Sequence, residues 1–368
     1  MFKKKLKIIS IVGARPNFMK IAPIMAVLQQ HSAEITTLLI HTGQHYDEMM
    51  SDAFFADLDI PKPDINLAIG SGSHAEQTAK IMLAFEPIVV REQPDWVIVV
   101  GDVNSTMACT LVCSKLGIKV AHVEAGLRSL DRTMPEEVNR LVTDCLADLL
   151  LTPSRDAEAN LLREGISPAK IHFVGNVMID TLYKYLTLAN TRNMLITLGL
   201  MPQQYGVITL HRPANVDDKL VFQRLLDALG TISAQVPLIF PIHPRTRQRI
   251  KDFDLAQRLA SYNISLIDPL GYLDFLQLYS NARLVLTDSG GVQEETTALG
   301  IPCLTLRENT ERPITVEQGT NRIVGTNREY IEAVASEVLA HSEIRPKHLE
   351  FWDGQAAVRI IAAILQAT

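Results

Sequence analysis

Short apolar runs alternate with helix-length stretches along almost the whole chain, and this alternation restricts the fold more than any other feature. Leu6–Val12, residues 36–42 and Trp96–Val100 have strand length and β-branched character. The last is apolar throughout, as a strand covered on both faces must be. Helical periodicity fills 17–30, with Pro23 as an expected kink. A region near 190–204 has little strand character, and a second series then places strands at 207–210, 238–242, 265–267, Leu284–Thr287 and 303–306. Strand-helix alternation means parallel sheets with helices on both faces. At 368 residues and 47% hydrophobic, the chain can bury two cores. The expected fold is therefore α/β: two doubly wound, Rossmann-like domains facing a central cleft, at 1–174 and 175–353, with a helix at about 354–368 packing back onto the first.

The most informative junction is 283–302. A strand ends at Asp288-Ser289-Gly290-Gly291, and a helical pattern then runs to Gly300, with Pro302 just beyond. Two glycines let the backbone approach a ligand closely, and the N–H groups opening a helix suit an anion such as phosphate. Glu294 and Glu295 follow one turn later. Beside phosphates a carboxylate would repel, but it accepts hydrogen bonds well from the vicinal hydroxyls of a ribose. Acids near a helix start also favour its dipole, although that leaves Ser-Gly-Gly unexplained.

Other candidates fall at strand ends, where doubly wound sheets hold their ligands. Asp102 follows 96–100, and Glu124 follows the next strand. Two carboxylates gathered there would raise each other's pKa, as proton transfer requires, unless each merely caps the next helix. Glu136, in Thr133-Met134-Pro135-Glu136, reads as part of a capping box. Arg15 and Lys20 flank the first strand-to-helix turn, His211 and Arg212 the corresponding turn of the second domain, and Arg312 a later one. Brought together, they would stabilise a diphosphate and its departure.

Several classes are disfavoured. A formal charge of −6 argues against nucleic acid, and no stretch is long enough to span a bilayer. Met1-Phe2-Lys3-Lys4-Lys5 resembles the start of a signal peptide, but a strand run follows it. Cys109, Cys113, Cys145 and Cys303 show no metal or redox spacing and read as reduced core residues of a cytoplasmic protein. His41 and His45 lack companions for a metal site. Gly70-Ser71-Gly72-Ser73-His74-Ala75 fits a dinucleotide fingerprint but lies away from the first strand-helix unit, so a loop leading into a helix is expected.

The segments GARPNFMKIAP, HTGQHYDEMM, GDVNSTMA, HVEAGLRS, MPEEVNR, TLHRPANVDD, PLGYLDF, TDSGGVQEE and ERPITVEQGT resemble, in order and over nearly the whole chain, the motifs of the non-hydrolysing UDP-N-acetylglucosamine 2-epimerases. The resemblance implies a glycosyltransferase-B type fold, a cytoplasmic homodimer and no cofactor. It also implies interconversion of UDP-N-acetylglucosamine and UDP-N-acetylmannosamine for surface polysaccharides. Asp102, Glu124, Glu136 and His211 match the catalytic residues, so for Glu136 the resemblance overrides the capping reading. Arg15, Lys20, His243, Phe275, Ser289, Gly290, Gly291, Glu295 and Arg312 match contacts to the UDP-sugar, with Phe275 beside the uracil. Some members carry a second, activating UDP-sugar site, matched here by Gln44, Arg212 and His243 with His45 on the same loop. The 70–77 loop lacks the Arg-Glu pair that would complete it, so weak activation is expected. Ala214 replaces a frequent Glu, and the loop at 129–134 is short. Both leave the sugar's substituents open, since relatives acting on UDP-2,3-diacetamido uronic acids share most motifs. Hydrolysing epimerases and glycosyltransferases of the same fold remain alternatives.

Overall fold

The computed structural model describes residues 5–43, 61–341 and 345–368. The chain forms two compact units, one made of Met1–Lys184 with Glu350–Thr368 and the other of Tyr185–Leu349.

The first unit is built on seven strands, β1 (Leu6–Val12), β2 (Ile35–His41), β3 (Ile65–Asn66), β4 (Trp96–Val100), β5 (Lys119–Val123), β6 (Leu149–Thr152) and β7 (Ile171–Phe173). Their order is β3-β2-β1-β4-β5-β6-β7 and every pair is parallel. Because β1 pairs with both β2 and β4, sheet growth reverses beside it, and the carboxyl ends of β1 and β4 flank a switch point. Val97, Ile98 and Val99 are fully buried, as an all-apolar central strand requires.

Helix α1 (Arg15–Gln30) starts with Pro16 in its first turn and continues through Pro23. Helix α2 (His74–Glu92) is capped by Ser73, which accepts from Glu76 N while Glu76 reaches back. Gly70 to Ser73 therefore form a loop between the short edge strand β3 and α2, not the first strand-helix turn where a dinucleotide fingerprint belongs. Helix α3 (Asn104–Leu116) buries Cys109 and Cys113. Cys303 is also buried, whereas Cys145, expected in a core, is exposed on α4 (Pro135–Leu146). The capping readings fail at two positions. Val103, not Asp102, is the N-cap of α3, and Met134 that of α4, while Thr133 Oγ1 turns to Asp131 Oδ1 at 2.6 Å.

The second unit holds β8 (Gly206–Thr209), β9 (Leu238–Pro241), β10 (Ile264–Ile267), β11 (Leu284–Thr287), β12 (Cys303–Thr305) and β13 (Asn321–Ile323). They form a parallel sheet in the order β10-β9-β8-β11-β12-β13. Its switch point lies between β8 and β11, in register from Leu284↔Gly206 to Thr287↔Thr209. Ile208, Phe222, Leu226, Leu229, Leu286 and Leu304 anchor its core.

The first unit is completed from the far end of the sequence. Asp180, on α5 (Val177–Ala189), accepts from the N–H groups of Ala356 at 3.1 Å and Ala357 at 2.7 Å, which open α6 (Ala356–Gln366). Trp352 Nε1 donates to Pro153 O at 3.1 Å, Phe351 stacks on Phe173, and α6 packs against α1. Asp180→Ala leaves two buried amides unpaired, so chemical denaturation should show a loss on the order of 1–3 kcal/mol. An unchanged denaturation midpoint would contradict this account of how α6 is held.

Candidate active site

In the first unit, Asn17 fixes the turn after β1. Its Oδ1 accepts from Gly13 N and Ala14 N at 3.1 and 3.0 Å, and its Nδ2 donates to Val100 O at 2.8 Å. That links the carboxyl ends of β1 and β4 and sets Lys20, one turn along α1, beside Glu124, where Nζ donates to Oε2. Glu124 adopts a left-handed backbone at φ 71°, uncommon for a side chain of its size and a mark of local strain. A Cβ on Gly101 would stand 3.1 Å from Lys20 Nζ and 3.6 Å from Glu124 Oε2, so glycine keeps this corner open for the pair.

Asp102 points elsewhere. Its Oδ2 lies 2.5 Å from Nη1 of the buried Arg140, whose other nitrogens grip Glu137 Oε2 at 2.6 and 3.0 Å. Glu137 in turn accepts from Ser129 N and Leu130 N, both at 3.0 Å, and so secures the loop before α4. Instead of two carboxylates repelling each other, the structure gives each a cation. Glu136 is half-buried on the first turn of α4, with no partner among the described residues.

Beneath these acids, His122 Nδ1 meets Asp144 Oδ1 at 2.6 Å and Nε2 meets Gly101 O at 2.9 Å. Asp144 Oδ2 accepts from Gly126 N at 3.0 Å and faces Arg128 at 2.7 Å. Burial alone would raise the Asp144 carboxyl, but His122 and Arg128 more than offset that and hold it below its ordinary value. This buried set braces both loops that carry Asp102 and Glu124. The side chain of Arg15 lies outside the described residues, as do Gln44 and His45. His41 is buried against Phe18, and burial lowers its pKa. Among the described residues, no group of three His, Cys, Asp or Glu could hold a metal ion.

In the second unit, β8 and β11 run side by side and deliver His211 and Asp288 together. His211 Nδ1 lies 2.9 Å from Asp288 Oδ1, and its ring centroid is 5.6 Å from that of His243. His243 also caps its own helix, Nδ1 accepting from Arg245 N at 3.2 Å. Arg212 Nε donates to Asp288 O at 2.9 Å.

Ser289 is the N-cap of the helix Gly290–Leu299, which opens on Gly290 and Gly291 and follows the helix Tyr272–Ser280. Gly290 must be glycine, since a Cβ there would come 2.4 Å from Arg312 Nη1 and 2.8 Å from Glu311 Oε1. Arg312 is buried between Glu311, at 2.6 Å, and Glu294, at 2.9 Å, while Arg307 contacts the other oxygen of Glu311 at 2.9 Å. The turn thus rests on a buried lattice of alternating charges.

Glu294 is spent on that lattice, leaving Glu295 as the other acid of the pair. Tyr272 OH donates to Glu295 Oε1 at 3.1 Å, and burial pushes the Glu295 carboxyl up to about 7. Phe275, half-buried on the helix Tyr272–Ser280, tilts against Tyr279 at 5.0 Å. Sequence reasoning missed Asp288, Arg140, Glu137, Glu311 and the His122–Asp144–Arg128 set. Asp288 had a signal, since it ends a central strand as Asp102 and Glu124 nearly do. The buried partners had none, because their ligands come from distant segments.

A family model described as UDP-N-acetylglucosamine 2-epimerase matches residues 27–365. The UDP-N-acetylglucosamine 2-epimerase of Methanocaldococcus jannaschii is 45% identical over 97% of this chain and 98% of its own length. A UDP-2,3-diacetamido-2,3-dideoxy-D-glucuronate 2-epimerase from Pseudomonas aeruginosa is 40% identical over 96% of this chain and 98% of its own. The crystal structure of the M. jannaschii UDP-GlcNAc 2-epimerase in complex with UDP-GlcNAc and UDP superimposes with a TM-score of 0.91 at 44% identity, covering 99% of this chain and 100% of that one. The two parallel-sheet units are accordingly the Rossmann-like domains of a glycosyltransferase-B type fold. With a full-length match in both sequence and structure, the chain belongs to the UDP-N-acetylglucosamine 2-epimerase family.

Proposed function

We propose that this protein is an isomerase that interconverts UDP-N-acetylglucosamine and UDP-N-acetylmannosamine at C2, supplying precursors for surface polysaccharides from the cytoplasm as a homodimer. The observation that carries the reading is the pairing of inventories. The first unit presents Asp102, Glu124 and Glu136 at strand ends or a helix start, and the second gathers His211, Arg212 and a glycine turn at a switch point.

The sugar's C2 has no adjacent carbonyl, so no side chain can simply deprotonate it. Departure of UDP makes the step feasible: a carboxylate takes H2, the electrons of that bond form the C1–C2 double bond, and the C1–oxygen bond breaks onto the β-phosphate. The product of this anti elimination is a 2-acetamidoglucal. Protonation of C2 on its other face, with return of the phosphate oxygen to C1, inverts the centre. No electrons leave the substrate, so the reaction calls for no redox cofactor. His211, Arg212, Arg15, Lys20 and the N–H groups at Ser289, Gly290 and Gly291 serve the leaving diphosphate. Glu295 accepts from the ribose hydroxyls, Phe275 and His243 flank the nucleotide, and Arg312 supports the turn. Ala214 and the 40% identity to the P. aeruginosa diacetamido-uronate epimerase motivate a second reading, ranked below the first, in which the sugar carries both a second acetamido group and a carboxylate. A hydrolysing epimerase would release the free sugar, and a glycosyltransferase would pass it to an acceptor.

The division of labour is testable by calorimetry. Glu295→Ala should weaken UDP itself, whereas Asp102→Asn should leave UDP affinity nearly unchanged; equal losses would remove the basis for the assignment. A carboxyl at about 7 must lose its proton to accept two hydroxyls, so part of the UDP affinity should rise with pH from 6 to 8. Glu295→Gln should abolish that part.

The mechanism is read in D2O. Product from UDP-N-acetylglucosamine should carry deuterium at C2 and nowhere else, and an oxygen-18 label in the C1–O–P bridge should scramble into the β-phosphate. His211→Ala and Glu136→Gln should each slow turnover by roughly 10²–10⁴-fold. Retention of the C2 hydrogen would point instead to oxidation and hydride return.

A further inference from the structure

Asp288 is completely buried, and its two oxygens are used differently. Oδ2 accepts from His211 N at 3.0 Å, Arg212 N at 2.9 Å and Asn215 Nδ2 at 3.2 Å. Asn215 is itself pinned, because the same amide donates to Leu306 O at 2.8 Å. Oδ1 lies 2.9 Å from His211 Nδ1, an ion-pair contact short of in-line hydrogen-bond geometry, and accepts no hydrogen bond from the other described residues. Burial would raise this carboxyl, but the imidazole and the two amides outweigh it and hold it below its ordinary value. An ionised carboxylate is acceptor-only, so the nitrogen it meets must carry a proton. The side chain of His211 is 41% exposed, and its Nε2 has no partner among the described residues.

We infer that Asp288 is a positioning residue for His211, holding the imidazole as the Nδ1-protonated tautomer with Nε2 turned outward to give and recover the proton of the departing β-phosphate oxygen. The inference rests on the catalytic assignment of His211 made above. When the C1–oxygen bond breaks, its electron pair goes to that oxygen, and Nε2–H of the imidazolium supplies the proton. The ring is left neutral with its remaining proton on Nδ1 toward Asp288, and the return step reverses the transfer. The carboxylate therefore balances the cation and fixes which nitrogen faces the substrate.

The arrangement makes Asp288→Asn unusually informative. Three donors converge on the Oδ2 position, so the new amide must keep its oxygen there and turn its NH2 toward Nδ1. A donor facing Nδ1 forces the proton to Nε2, the opposite tautomer, with shape and backbone contacts preserved. Nitrogen-15 imidazole shifts, recorded where the ring is neutral, should show Nδ1 protonated in the parent and Nε2 protonated in Asp288→Asn. The variant's kcat should fall by roughly 10²–10⁴-fold, as when an orienting carboxylate is lost from an acid–base histidine, with KM and UDP affinity changed by less than about three-fold. In the His211→Ala background, Asp288→Asn should cost almost nothing more.

A parent spectrum with Nε2 protonated overturns the proposal without any variant, even if Asp288→Asn does not fold. So does an Asp288→Asn protein whose tautomer and kcat match the parent, or one that loses stability and UDP affinity together while its tautomer stays fixed. Full activity in His211→Ala would sink the catalytic assignment instead, whereas an inactive His211→Ala beside a fully active Asp288→Asn sinks only the positioning role.

Discussion

Parallel pairing of each domain's first strand with the fourth strand of its series, β1 with β4 and β8 with β11, is the constraint on which the chemistry depends. Parallel neighbours send their carboxyl ends to the same edge, and the reversal of sheet order there leaves that edge uncovered by a crossing connection. Residues 77 positions apart, His211 and Asp288, become neighbours for that reason alone. The same geometry brings the turn after β1 to the end of β4 through Asn17 and Val100.

A second requirement follows from the first. Glu124 and Asp288 are buried where their strands end, and a charge buried there needs compensation. The two domains meet the need in different ways. The first assigns cations, Lys20 to Glu124 and Arg140 to Asp102, and ties the loops down with a buried His–Asp–Arg set. In the second, backbone amides satisfy Asp288, and three arginines interleave with two glutamates under Gly290. Such networks hold direction as well as charge where donors converge on one oxygen, as three do on Asp288 Oδ2.

Much of this was legible in the sequence. The eight strands given bounds in the sequence lie within a residue of their observed ends, because β-branched apolar runs of three to seven residues in this setting have few other uses, whereas β3, β6, β7 and β13, at two to four residues, were too short to stand out. Glycine turns and strand-terminal acids marked the edges that carry the site. The capping readings of Asp102 and Thr133 failed for a physical reason. A short polar side chain at a helix start can bond elsewhere than to the helix: Asp102 meets Arg140 from a distant segment, and Thr133 meets Asp131 in the turn just before it. Partners such as Glu137, Asp144 and Glu311 were hidden because what selects them is burial beside a charge from another segment, and no local pattern encodes that.

Residues 350–368 belong to the unit that begins the chain, so the second unit is an insertion within the first. During synthesis the inserted unit is complete before the segment that supplies Trp352 and α6 has been made. Until then Asp180 has no helix to cap and the Phe173 ring no stacking partner. The β-strands carrying the carboxylates are translated first but gain their full packing last, which reverses the usual N-to-C order of domain completion.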